Sequence, residues 1–269
     1  MNADQLARKF GRRLAGGGWR WLFSAALDRI APARPALRCA ALAATANRRG
    51  LEIGGPSRVF STRGMLPVYG CAARIDNVNF SAATAWEAGL RDGGEFRFHP
   101  QRPAGTQWLR EATALSGLAD NTYDFLLSSH CLEHVANPLA ALHEWRRVTR
   151  AGGHLVLVLP DPTQTFDHRR PLTTLAHLRN DFARCGAEDD STHAAEALAL
   201  HDVSRDPGVG SVDEFRTRVA DNAQNRCLHH HIFDLALMQA TLRETGWRVL
   251  AAEAARPMHL IAFAQKEAA

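Results

Sequence analysis

The stretch YDFLLSSHCLEHVANPLAALHEWRRVTRAGGHLVLVLPD, residues 123–161, contains a strand, a helix and a second strand in immediate succession. YDFLLSSH is an apolar run of strand type that ends in small and polar residues. In NPLAALHEWRRVTR, residues Leu139, Leu142, Trp145 and Val148 fall mostly on one face of a 3.6-residue period, with Arg146, Arg147 and Arg150 outside. Ala151-Gly152-Gly153 then stops the helix. HLVLVLP is apolar without alternation, as expected of a strand covered on both faces of a parallel sheet. A strand–helix–strand unit of this kind predicts a doubly wound α/β domain.

Working outward, the same rhythm continues. LEIGG (51–55) reads as a strand running into a turn, and CAARIDNVNF (71–80) as a second strand ending near Asp76. EFRFHP (95–100) offers a weaker third strand. On the carboxyl side, FDLALMQATLRETG (233–246) is helical, and the runs WRVLAAEAARP and MHLIAFAQK predict an antiparallel hairpin. The expectation is a mostly parallel seven-stranded sheet closed by that hairpin, within a domain spanning 50–269. Residues 161–232 have few strand signals and predict a helical insertion over the carboxyl edge of the sheet, on the acceptor side.

Apolar residues make up 46% of the 269 and charged residues 22%, which is the balance of one folded domain rather than of a disordered chain. The net charge of +4 is uneven. Residues 1–50 carry ten basic and two acidic side chains, whereas the other 219 carry 22 and 26. A mildly acidic body with a basic arm is not the footprint of a nucleic-acid binder. Five widely spaced cysteines without a C-x-x-C argue against a disulfide scaffold and fit a reducing, cytoplasmic setting. No run of eighteen apolar residues is present. The arm, residues 1–49, is expected to form helices broken at Gly16-Gly17-Gly18, followed by a Pro32/Pro35 linker and a short helix over 36–47. A helix packed on the body or on a second subunit of a homodimer, a peripheral membrane contact, and a cleaved signal all remain open for it.

The order of elements and the quoted stretch resemble class I S-adenosylmethionine-dependent methyltransferases over residues 50–160 and 233–266. The terminal hairpin separates this pattern from dinucleotide-binding folds, and no G-x-G-x-x-G is present. The resemblance implies S-adenosyl-L-methionine as cofactor. Glu52 would then lead a glycine loop through Gly54 and Gly55, although Pro56 and Arg58 stand where later glycines are usual. Asp76 would bind the ribose hydroxyls and Glu111 the adenine region. Ser129 and His130 would face the cofactor from the end of the fourth strand, while His134 would serve packing. The segments EIGGPS, DNVNFS, SSHCLEH, TFDHRRP and NRCLHHHIFD further resemble methyltransferase-domain proteins associated with bacterial polysaccharide assembly. That implies methyl transfer to an oxygen of a sugar or glycan-related acceptor.

The insertion carries seven of the thirteen histidines, among Asp167, Asp189, Asp190 and Asp202. An imidazole there is suited to removing the acceptor's proton, and His168 and His230 are the expected bases. Imidazoles with carboxylates also suit a divalent metal, but the spacings match no known metal motif, so no metal is expected. Two other functions stay open: a non-catalytic binding or scaffold protein that keeps this fold, and a metal-dependent hydrolase built on the histidines.

Overall fold

The computed structural model describes residues 33–84 and 87–267. The arm helices expected over 5–30 lie outside the described residues. A helix α1 (Pro35–Thr45) precedes strands β1 (Arg49–Ile53) and β2 (Arg74–Asn79). Strands β3 (Glu95–Phe96), β4 (Gly105–Leu109) and β5 (Tyr123–Ser129) follow, then α2 (Pro138–Val148) and β6 (Thr149–Pro160). Four helices fill the insertion: α3 (Leu175–Ala183), α4 (Ala194–Leu200), α5 (Val212–Ala220) and α6 (Asn222–Asn225). The chain ends with α7 (Leu235–Glu244), β7 (Trp247–Ala255) and β8 (His259–Lys266).

The sheet has eight strands in the order β3-β4-β2-β1-β5-β6-β8-β7. Strands β4, β2, β1, β5 and β6 are parallel. Strand β8 runs antiparallel to both β6 and β7, so the hairpin inserts its second strand into the sheet. Two expectations need correction. The third parallel strand is GTQWL (105–109), not EFRFHP, and the strand count is eight instead of seven. Only Glu95 and Phe96 of EFRFHP pair, antiparallel, with Thr106 and Gly105 at the edge. GTQWL has little apolar signal of its own. Its place is set by the close approach of Gly105 to the Ile75 carbonyl, where a Cβ would collide.

Burial explains the layers. On one face, α2 and α7 cover β1, β5, β6 and β8 through Leu139, Leu142, Trp145, Leu237 and Leu242. Trp145 is fully buried and its indole N–H donates to the Ala112 carbonyl at 3.0 Å. Asn137 caps α2 by accepting from the Ala140 N–H, and Pro138 opens the first turn. On the other face, α1 packs through Leu37 and Ala41 beside Phe125, Val156 and Phe263. This helix lies within the span assigned to the arm by sequence, yet it forms part of the core.

Between β1 and β2 the chain makes two 3-10 turns (Arg58–Phe60 and Val68–Gly70), which bury Val59, Phe60, Val68 and Tyr69. Pro56, Gly64, Pro67 and Gly70 punctuate this stretch too often for a long helix. The insertion holds a small core of its own, Ala197, Val209, Phe215, Val219 and Leu228. It is tied to the body where the His230 N–H donates to the Glu133 carbonyl at 2.8 Å.

Candidate active site

The strand order reverses between β2 and β5 on either side of β1, so the carboxyl ends of these strands flank a switch point. A crevice opens there. Its lining includes Ile53 at the end of β1, Gly54 just after it, and Val78, Asn79 and Phe80 at the end of β2. Arg110 and Glu111 follow β4, while Cys131, His134 and Val135 follow β5. The insertion supplies Glu188 and Arg226.

The glycine loop is held from within. Gly54 has φ +81°, a conformation that favours glycine, and its N–H donates to the Val78 carbonyl at 2.8 Å. The Gly55 N–H donates to Asn77 Oδ1 at 3.1 Å. Asn77 and Asn79 each donate a side-chain N–H to the Gly55 carbonyl, at 3.0 and 2.9 Å. The Ser57 N–H donates to Glu52 Oε1 at 3.0 Å and lies 2.8 Å from the Tyr69 hydroxyl oxygen. Tyr69 in turn donates to Glu52 Oε2 at 2.6 Å. Glu52 is fully buried, and burial pushes its carboxyl up to about 7 against the opposing hydrogen bonds. It orders the loop and does not line the crevice. The amides of Gly54, Gly55 and Ser57 are therefore spent inside the protein.

Asp76 requires a correction. It lies three residues before the end of β2 and is fully buried. Its carboxylate accepts from Arg49 (2.7 Å), Arg74 (3.0 Å), the Thr106 N–H (2.8 Å) and the Tyr123 hydroxyl (3.1 Å). Burial opposes the charge, but the Arg49 and Thr106 hydrogen bonds outweigh it and hold the pKa below the usual carboxylate range. With four protein donors already bonded, it is not available to a ribose diol. The strand-end position belongs to Asn79. Its side chain is 2% exposed, and Oδ1 has no hydrogen-bond partner.

Glu111 does line the crevice and accepts from Arg226 at 2.9 Å. Arg226 also pairs with Glu188 at 2.8 Å and stacks over the Phe80 ring, 5.1 Å to the centroid. Burial raises the Glu188 carboxyl, and Arg226 pulls it back. Ser129 and His130 do not line the crevice. His130 has φ +51°, and its Nε2 meets Nδ1 of His259 at 2.9 Å. Their place is taken by Cys131, whose thiol burial pushes up, and by His134. His134 Nδ1 lies 3.1 Å from the Leu228 carbonyl, which can only accept, so Nε2 keeps the lone pair. Burial holds this imidazole well below its usual pKa, hence neutral.

Neither expected base faces this crevice. His168 is bound to Asp202 at 3.0 Å beside Arg169. His230 is buried against Asn222, and desolvation lowers it to about 4. Proximity along the chain to the fifth strand, or to the resumed helix, did not fix which way these side chains point. The residues missed by sequence were Asn79, Phe80, Glu188 and Arg226. The first two close the run DNVNF, whose strand continues past Asp76 to Asn79. The latter two carry no local signal.

A search of curated proteins gave no match. Among solved structures, an S-adenosylmethionine-dependent methyltransferase of Mesorhizobium loti is 14% identical, with a TM-score of 0.49, over 86% of this chain and 96% of that one. One from Aquifex aeolicus is 12% identical, with a TM-score of 0.45, over 87% and 89%. Residues 72–157 match the family model of the methyltransferase domain. That match spans β2, β4 and β5, whose carboxyl ends flank the crevice, and reaches into β6.

Proposed function

We propose that the chain transfers a methyl group from S-adenosylmethionine to an oxygen of a sugar or glycan-related acceptor. The observation that carries the cofactor part is the crevice at the switch point, lined by Asn79, whose buried Oδ1 has no hydrogen-bond partner. The lining fits this ligand. Ile53, Val78 and Phe80 offer apolar surface, and Asn79 offers an acceptor for a hydroxyl or ammonium donor. When bound, S-adenosylmethionine supplies an activated methyl group and is converted to S-adenosylhomocysteine.

The chain's own residues then orient the acceptor and accept one proton. His134 is the crevice-lining imidazole with a free lone pair, and we assign it that role. The Leu228 carbonyl fixes its tautomer. The glycan assignment rests on the resemblance of SSHCLEH, TFDHRRP and NRCLHHHIFD to methyltransferase-domain proteins of polysaccharide assembly. Calorimetric titration of the full chain with S-adenosylmethionine and S-adenosylhomocysteine tests the cofactor. Absence of binding at millimolar ligand removes the reading. Labelled methyl transfer to a panel of sugars and polysaccharide fragments tests the acceptor. His134→Ala should then lower turnover by about 10²–10⁴-fold while cofactor affinity is kept.

A further inference from the structure

The insertion brings three histidines and one aspartate to a point that the crevice does not use. His177 and Asp181 lie one turn apart on α3, His193 stands just before α4, and His231 lies in the triple-histidine run. One ligand atom from each of the four lies within 4.8 Å of all the others. His177 Nε2 is 3.2 Å from His193 Nε2 and 3.1 Å from Asp181 Oδ2. A tetrahedral ion bound at 2.0–2.1 Å separates its ligand atoms by roughly 3.3–3.4 Å, so these spacings are those of a coordination shell.

The surrounding contacts prepare the donors. The Asp181 side chain is 1% exposed, and Arg184 donates to its Oδ1 at 2.6 Å. Oδ2, aimed at the imidazoles, has no hydrogen-bond partner. His231 Nε2 lies 3.2 Å from the Ala136 carbonyl, which obliges Nε2 to carry the proton and leaves Nδ1 as a buried, unpartnered lone pair. A ligating histidine commonly gives its other N–H to a backbone carbonyl in this way. A second group, Glu133, His134 and His229, is spaced similarly, but His229 Nδ1 is already bonded to Asp167.

The geometry points to a binding site for one divalent transition-metal ion of the zinc class, held by His177, Asp181, His193 and His231. Three imidazoles and a carboxylate are a donor set that suits zinc. The ion would join α3, the segment before α4 and the 229–231 run, fastening three parts of the insertion to one another.

The test uses the full chain without an affinity tag, stripped with chelator and dialysed against micromolar zinc. Elemental analysis should find about one zinc per chain, and Co²⁺ in its place should give the intense visible absorption of a tetrahedral site. Asp181→Asn, which keeps the shape, and His193→Ala should each weaken zinc binding by at least about 100-fold. His99→Ala, on the connection between β3 and β4, should leave it unchanged. No zinc on the reconstituted wild type overturns the site, whatever the variants do. So does zinc that survives both substitutions and is lost instead in Glu133→Gln.

Discussion

Arg226 and Glu111, 115 residues apart in the chain, meet at 2.9 Å in the wall of the crevice. One comes from the insertion and the other from the loop after β4, so this ion pair ties the insertion to the sheet beside the crevice. Both partners keep some solvent access, at 14% and 41% side-chain exposure, and the pair alone adds little stability. Its consequence is electrostatic. Arg226 neutralises Glu111 and Glu188, which would otherwise attract a cation. S-adenosylmethionine carries one more positive charge than S-adenosylhomocysteine. Arg226→Ala should therefore tighten the former relative to the latter by about 1 kcal/mol, roughly fivefold. Calorimetry with both ligands measures the ratio, and an equal change for the two refutes the electrostatic account.

Asn79 presents a different kind of dependence. Its Nδ2 holds the Gly55 carbonyl at 2.9 Å, whereas its buried Oδ1 has no partner. A bound ligand with a donor at that point relieves the unpaired acceptor. Asn79→Ala should weaken S-adenosylhomocysteine binding by about 1–3 kcal/mol. The thermal midpoint of the free protein should move much less than the affinity. If affinity is unchanged, the ligand does not reach the end of β2.

Asp76 should behave in the opposite way. Replacing it by Ala removes the shared acceptor of Arg49, Arg74, Thr106 and Tyr123. Both arginines are more than 40% exposed and can turn to water, which limits the loss. The buried Tyr123 hydroxyl and the Thr106 N–H have less freedom. Asp76→Ala should cost about 2–3 kcal/mol in urea unfolding and leave S-adenosylhomocysteine affinity within about twofold. A selective loss of affinity would restore Asp76 to the ligand site.

These two residues show how far the sequence could be read. Apolar runs and a helical stripe fix an element's type, which is why residues 123–161 and the terminal hairpin were legible. They do not fix where a polar strand ends. Strand β2 buries Asp76, Asn77 and Asn79 together, so its end had no apolar-to-polar boundary to mark it. Strand β4 was missed because GTQWL owes its place to the contact of Gly105 with β2 and not to its own pattern. In the insertion, His168 and His230 were chosen by chain position. Their orientations depend on Asp202 and Asn222, whose placement follows from tertiary packing. The pairing of Arg226 with Glu111 and Glu188 likewise exists only once the insertion has folded back over the sheet.

Glu52 makes the stability of the glycine loop depend on pH. Its folded-state pKa, raised by burial to about 7, lies above the ordinary carboxyl value of 4.5. The protonated carboxyl is therefore favoured in the folded chain. The resulting contribution is fully present below about pH 4.5 and is lost as pH rises through about 7. At 1.36 kcal/mol for each unit, the loss is on the order of 3 kcal/mol. Glu52→Gln keeps an amide of similar shape that cannot ionise. Buried Glu133, also pushed up to about 7, titrates in the same window, so the informative quantity is the difference between variant and wild type. Between pH 5 and pH 8 the variant should gain roughly 2–3 kcal/mol relative to wild type in urea unfolding. Tyr69→Phe removes the hydroxyl that donates to Glu52 Oε2 and should raise the Glu52 pKa further, so its own loss of stability should be larger at pH 8 than at pH 5. A Glu52→Gln difference that is flat across this range would show that Glu52 titrates as an ordinary solvated carboxylate, and the loop would then be open to water.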